Sequence, residues 1–105
     1  MSGIAVVLTT AGTEAEASTL ARTLVERQLA ACVNVVSGVA STYRWKGAVA
    51  TDDEWLLVIK TRANRFEEVR AAILELHSYE RPEIVMIEAS RVDPAYRAWI
   101  DDSVS

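Results

Sequence analysis

The chain has 105 residues, 50% of them apolar and 25% charged, a balance that argues against disorder and for one globular domain over residues 1–105. Its 11 basic and 15 acidic residues leave a net charge of −4, the wrong sign for attraction to a phosphate backbone, so no nucleic-acid partner is expected. A single cysteine, Cys32, permits no disulfide within the chain, and no stretch approaches a membrane span or carries the basic start of a signal peptide. A cytoplasmic location with no membrane partner is therefore expected.

Ile4 to Leu8 is a short apolar run closed by Thr9, Thr10, Ala11 and Gly12, which reads as a strand and a turn. Thr13 with Glu16 forms a capping box, and the helix it starts is expected to run to about Leu29, with Leu20, Leu24 and Val25 on its apolar side. A second strand begins at Cys32 and continues through Val33, Val35 and Val39 to Trp45. Gly38 marks a bulge within it, and because a bulge exchanges faces, side-chain parity does not carry from Cys32 to Tyr43. Tyr43 and Trp45 share one face beyond that point, Arg44 and Lys46 the other.

Gly47 to Asp53 is expected to turn the chain into a third strand, Glu54 to Thr61, whose apolar run carries charges only at its ends. Asn64 with Glu67 suggests a second capping box, and Phe66, Val69, Ile73 and Leu76 give a helical stripe that ends near His77. Pro82 holds Arg81 extended ahead of a fourth strand, Ile84 to Ile87. Asp93 and Pro94 read as the cap and first residue of a short last helix bearing Tyr96 and Ile100, with fraying expected from Asp101 to Ser105.

The order βαββαβ, with a long hairpin between the second and third strands and a short C-terminal helix, is that of an α+β, ferredoxin-like fold. Two helices cover one face of such a sheet, yet the strands are apolar on both. The outward set expected from alternation is Ala5, Val7, Leu56, Val58, Ile84 and Met86. Leaving it wet would forgo roughly 8 to 15 kcal/mol, the size of a domain's net stability, so a second copy of the chain is expected to cover it. The alternative is that the terminal helix folds over this face within one chain.

Three segments, Ala31-Cys32-Val33-Asn34, Tyr43-Arg44-Trp45-Lys46-Gly47 and His77-Ser78-Tyr79-Glu80-Arg81-Pro82-Glu83, together with Lys60-Thr61-Arg62, resemble the CutA family of divalent-ion tolerance proteins. The resemblance covers roughly residues 4 to 100. It implies a homotrimer of ferredoxin-like subunits related in shape to PII-type signalling proteins, tolerance to copper and other divalent cations, and no settled enzymatic reaction. Ser78 stands where the family usually has proline.

Cys32 as thiolate, His77 as imidazole and Glu80 as carboxylate are the candidate metal ligands, and copper(II) or another divalent cation the candidate ion. No organic cofactor is evident. The alternatives are a buried Cys32 that acts as a small hydrophobe, a His77 that answers its helix dipole, and Tyr43 and Trp45 as packing anchors. Lys60, Arg62 and Tyr79 permit a further reading, a cleft between subunits that captures a small anion, although no glycine-rich phosphate loop precedes either helix. A purely structural trimer is the third reading.

Overall fold

In a computed structural model, which describes residues 2–105, the elements are β1 (Ile4–Ala11), α1 (Glu14–Glu26), β2 (Cys32–Trp45), β3 (Ala48–Arg62), α2 (Phe66–Leu76), β4 (Val85–Glu88) and α3 (Pro94–Ser103). The strands form one antiparallel sheet in the order β2-β3-β1-β4. This is the α+β arrangement expected, with a 3-10 turn (Ala63–Arg65) leading into α2.

Helix α1 starts where it should, since the Thr13 side chain accepts from Glu16 N–H at 3.1 Å, but the reciprocal half of the box is not made, because the Glu16 carboxylate accepts from Ser78 N–H instead. It stops at Glu26, earlier than Leu29, because Gln28 takes a left-handed conformation (φ 58°) and the N–H groups of Leu29 and Ala30 fold back on Leu24 O. The second capping box is not realised. Asn64 is used in the 3-10 turn, and α2 begins after Arg65 with no side-chain cap. The last helix is capped by Asp93, which accepts from Tyr96 N–H at 3.1 Å. Its end does not fray: Val104 is buried and Ser105 N–H donates to Gln28 O.

The turn between β2 and β3 is far shorter than residues 47–53. Lys46 (φ 51°) and Gly47 (φ 81°) alone reverse the chain, both in the left-handed region that a tight hairpin turn requires. The strands consequently pair out to Trp45 and Ala48, and the hairpin projects as an arm from a molecule 44 Å long and only 26 and 24 Å across.

Register corrects the expected division of the sheet. Val7 lies opposite Ile59 and Met86, and this row, with Ala5 and Leu57, is buried; Val7, Leu57 and Ile59 join Leu20, Leu24, Val69 and Ile73 of the helices in one core, against which Ile84 and Met86 pack. Ala5, Val7, Ile84 and Met86 thus face the helices rather than water. The open face carries the other parity, Val6, Leu8, Leu56, Val58, Val85 and Ile87. Alternation within each strand is legible, but which row of one strand shares a side with which row of the next depends on pairing.

The corrected face is still apolar, with Val85 47% and Ile87 54% exposed. Helix α3 shields only one end of it, where Ile100 and Val104 pack on Ile4 and Ala31. The register of β2 shifts between Val36 and Val39, around Gly38 at φ +73°. That bulge brings Val39, Ser41, Tyr43 and Trp45 onto the same open face as Cys32, Asn34 and Val36.

A Cβ at Gly38 would meet nothing within 4 Å, so a substitution there is opposed by backbone conformation alone. Gly38→Ala is expected to lower stability by about 1 kcal/mol, read from the urea unfolding midpoint. An unchanged midpoint would contradict the left-handed bulge.

Candidate functional site

At the C-terminus of α2 the backbone leaves the helical region at His77 (φ −82°, ψ 141°), and the following residues cross the end of β1. Four contacts hold this crossing. The imidazole, its side chain 0% exposed, engages both nitrogens: Nε2 lies 2.7 Å from Thr10 O and Nδ1 accepts from Tyr79 N–H at 3.0 Å. A carbonyl on one side and an N–H on the other fix a neutral ring with its hydrogen on Nε2. Glu16 Oε2 accepts from Ser78 N–H at 3.1 Å, while Glu16 Oε1 lies 3.6 Å from Nδ1 without a hydrogen bond.

The fourth contact reaches across the sheet end, where the Tyr79 hydroxyl donates to Glu54 Oε2 at 2.6 Å. Gly12 makes room for it, since a Cβ there would stand 2.8 Å from the Tyr79 hydroxyl oxygen. The result is a groove of about 690 Å³ between the projecting hairpin and residues 79–83. Tyr43 and Trp45 line it from the hairpin, Tyr79 and Pro82 from the crossing segment, and Thr10 and Glu54 from the sheet.

The charged groups of the groove are mostly carboxylates. Glu54, Glu80 and Glu83 line it against one guanidinium, Arg81, and the Tyr43 hydroxyl donates to Asp52. That bond first, and burial second, push the Tyr43 hydroxyl above its ordinary range. Burial first and the bond to Glu54 second do the same to Tyr79. Trp45 carries the Lys46 ammonium 5.9 Å from its ring centroid.

The six residues singled out from sequence fall in two places. Cys32, half-buried, pairs with Lys60 on β3, and Arg62 follows at the same end, opposite Ile4. Tyr96 of α3 stands near that thiol: burial first and the Cys32 charge second raise its hydroxyl above the ordinary range. His77, Tyr79 and Glu80 belong to the other end. Lys60 lies opposite Val6 and His77 bonds to Thr10, four residues away along β1 or roughly 13 Å.

Within one chain, therefore, Cys32 does not meet His77 and Glu80, and Tyr79 does not meet Lys60 and Arg62. Among the described residues no group of three or more His, Cys, Asp or Glu side chains is placed to hold a metal ion. Glu54 and Gly12 were not singled out as site residues from sequence, and Glu16 only as the carboxylate of the first capping box. Glu54 had a signal, as the carboxylate that enters the apolar run of β3. Gly12 and Glu16 had none, because their roles arise only when α2's exit folds over β1.

A family model described as CutA1 divalent ion tolerance protein matches residues 5–103. The divalent-cation tolerance protein CutA of Thermus thermophilus is 42% identical over 98 residues, covering 93% of this chain and 95% of that protein. A Xenopus laevis CutA homolog is 41% identical over 88 residues, 84% of this chain but 58% of its own length. The Thermus structure superposes with a TM-score of 0.95 at 40% identity, covering 97% and 99% of the two chains. A structure from Archaeoglobus fulgidus, described as a periplasmic divalent cation tolerance protein, gives 0.94 at 34% identity over 97% and 99%. These names refer to tolerance of ions rather than to a reaction, and no helix among the described residues is long and apolar enough to cross a membrane.

Because the folded protein holds the Tyr79 proton more tightly than the ordinary value of 10.0, its contribution is complete below that pH and is lost as pH rises above it. Tyr79→Phe is expected to cost about 1 kcal/mol at neutral pH and to flatten the alkaline loss of stability. Urea unfolding at a series of pH values checks this; parallel curves for the two proteins would contradict it.

Proposed function

This chain belongs to the CutA1 family of divalent ion tolerance proteins, and from that premise we propose that it acts in divalent-cation tolerance as a homotrimer that binds the ions directly, copper(II) ahead of others. The supporting observation is the apolar face opposite the helices, with Val85 and Ile87 about half exposed, which a lone chain leaves to water. Further copies cover that face, and the long β2–β3 hairpin gives them edge backbone to pair with. The unpaired Cys32 favours the cytoplasm. The relatives' names supply no catalytic step, and none is assigned to this chain.

The donor types suit copper(II), which ranks first in the general order of divalent affinities for mixed nitrogen, oxygen and sulfur ligands. The geometry restricts how they act together. Cys32 and Glu80 lie at opposite ends of one chain, so a shared ion requires ligands from two subunits. His77 joins them only by giving up a ring nitrogen now bonded to Tyr79 N–H or Thr10 O. Cys32 is therefore the first residue to test, followed by Glu80 and then His77. A second reading, an anion held by Lys60 and Arg62 with Tyr79 from a neighbouring subunit, draws support from the Arg62 Nε, which is buried without a hydrogen-bond partner among the described residues.

Calorimetric titration with copper(II), repeated with zinc(II) as a redox-silent check, tests the metal reading. Cys32→Ala is expected to weaken binding at least about tenfold, a loss that even the outer partners of a bound metal produce. Wild-type affinity in both Cys32→Ala and Glu80→Gln would remove these residues from the site, and a phosphate titration sensitive to Arg62→Ala would favour the anion.

A further inference from the structure

We propose that Arg62, Arg65 and Arg97 form a site for a phosphate group, free or carried on a small molecule, where β3, the turn into α2 and helix α3 meet. Arg62 is the last residue of β3 and Arg65 the last of the 3-10 turn that follows, a separation of roughly 6 Å along the turn. Between them Ala63 N–H donates to Gly3 O at 2.7 Å. Arg97 reaches the same junction from α3, its Nη2 lying 3.8 Å from where a Cβ on Gly3 would stand. Ile100, a neighbour of Arg97 on the same side of α3, packs on Ile4, the cross-strand partner of Arg62.

Nε of Arg62 and Nε of Arg65 are both buried and have no hydrogen-bond partner among the described residues. The chain's own residues already withdraw these atoms from water, so their burial does not depend on further copies. No carboxylate pairs with Arg62 among the described residues. Arg65 and Arg97 have only loose partners, Glu68 at 3.6 Å and Asp101 at 3.7 Å, each nearly half exposed and therefore weakly held. Asp93, one turn before Arg97, is engaged in capping α3. Three guanidinium groups gathered at one place in a chain of net charge −4 repel one another until an anion joins them. With each Nε enclosed, the terminal nitrogens are the donors, and a guanidinium plane matches the paired oxygens of a phosphate. Helix α2 starts beside them with no side-chain cap, so its first N–H groups strengthen the same positive field.

The site shares Arg62 with the anion reading above but uses neither Lys60 nor Tyr79 from a neighbouring subunit, so the two fail separately. The intact protein, in the assembly it forms and without added metal, is titrated calorimetrically at constant ionic strength with inorganic phosphate and with glycerol phosphate, and with acetate as a singly charged control. Saturable binding is expected for at least one phosphate probe and not for acetate; the tighter probe shows whether the free ion or the ester is preferred. Arg65→Gln and Arg97→Gln are each expected to weaken it at least about fivefold, whereas Lys60→Ala and Tyr79→Phe leave it within about twofold. Both substituted arginines are partly exposed, and thermal unfolding of each variant confirms that it is folded. No saturation by either phosphate probe up to about 10 mM, acetate bound as tightly as phosphate, or wild-type affinity in both arginine variants overturns the proposal. Loss confined to Lys60→Ala and Tyr79→Phe overturns it as well and leaves the anion between subunits standing.

Discussion

A sheet with helices on one side only must find something else for its other side, and in this chain that other side is apolar. Leu20, Leu24, Val69 and Ile73 cover the row built from Val7, Leu57 and Ile59. Among the described residues nothing comparable covers the row of Val6, Leu8, Leu56, Val58, Val85 and Ile87. Helix α3 reaches only the Ile4 end, through Ile100 and Val104. Both faces were made for burial, and one chain has helices enough for one. The assembly proposed here follows from that imbalance, and so does the need to seek ion ligands across a boundary between copies.

The hairpin and the crossing after α2 give the exposed face its shape. The two-residue turn at Lys46 and Gly47 lets β2 and β3 pair well beyond the body of the sheet, and the bulge at Gly38 rotates the outer half of β2 so that Tyr43 and Trp45 look the same way as Cys32. The crossing segment is then latched by His77 on Thr10, Ser78 on Glu16 and Tyr79 on Glu54. Two of the sequence segments on which the family likeness rests thus come together as walls of one groove. His77, one of the three candidate ligands in the sequence, spends both ring nitrogens holding that groove in place.

Element types were largely legible because each is set by local chemistry: the Thr13 cap, the Asp93-Pro94 start of α3, the Gly38 bulge and the apolar run of β3 all act within a few residues. Pairing was not. The rows assigned to the open face mixed the two parities, since Ala5 and Val7 read the same as Val6 and Leu8 until Val7 is known to lie opposite Ile59 and Met86. The turn was drawn too long because Ala48, Val49, Ala50 and Thr51 carry weak strand signals that pairing with β2 overrides. Convergence of side chains was the least legible of all. Cys32 and His77 have suitable chemistry, but their separation at opposite ends of the sheet is a property of register, as is the meeting of Tyr79 with Glu54.

Sedimentation equilibrium of the purified protein at micromolar concentration, alongside Ile87→Asp, is the most direct test of the uncovered face. The wild-type chain should sediment at three times its own mass, and a charge at position 87 should shift it toward smaller species. A well-folded wild-type particle of one chain mass would contradict the central claim, because the apolar face would then be stable in water without a partner.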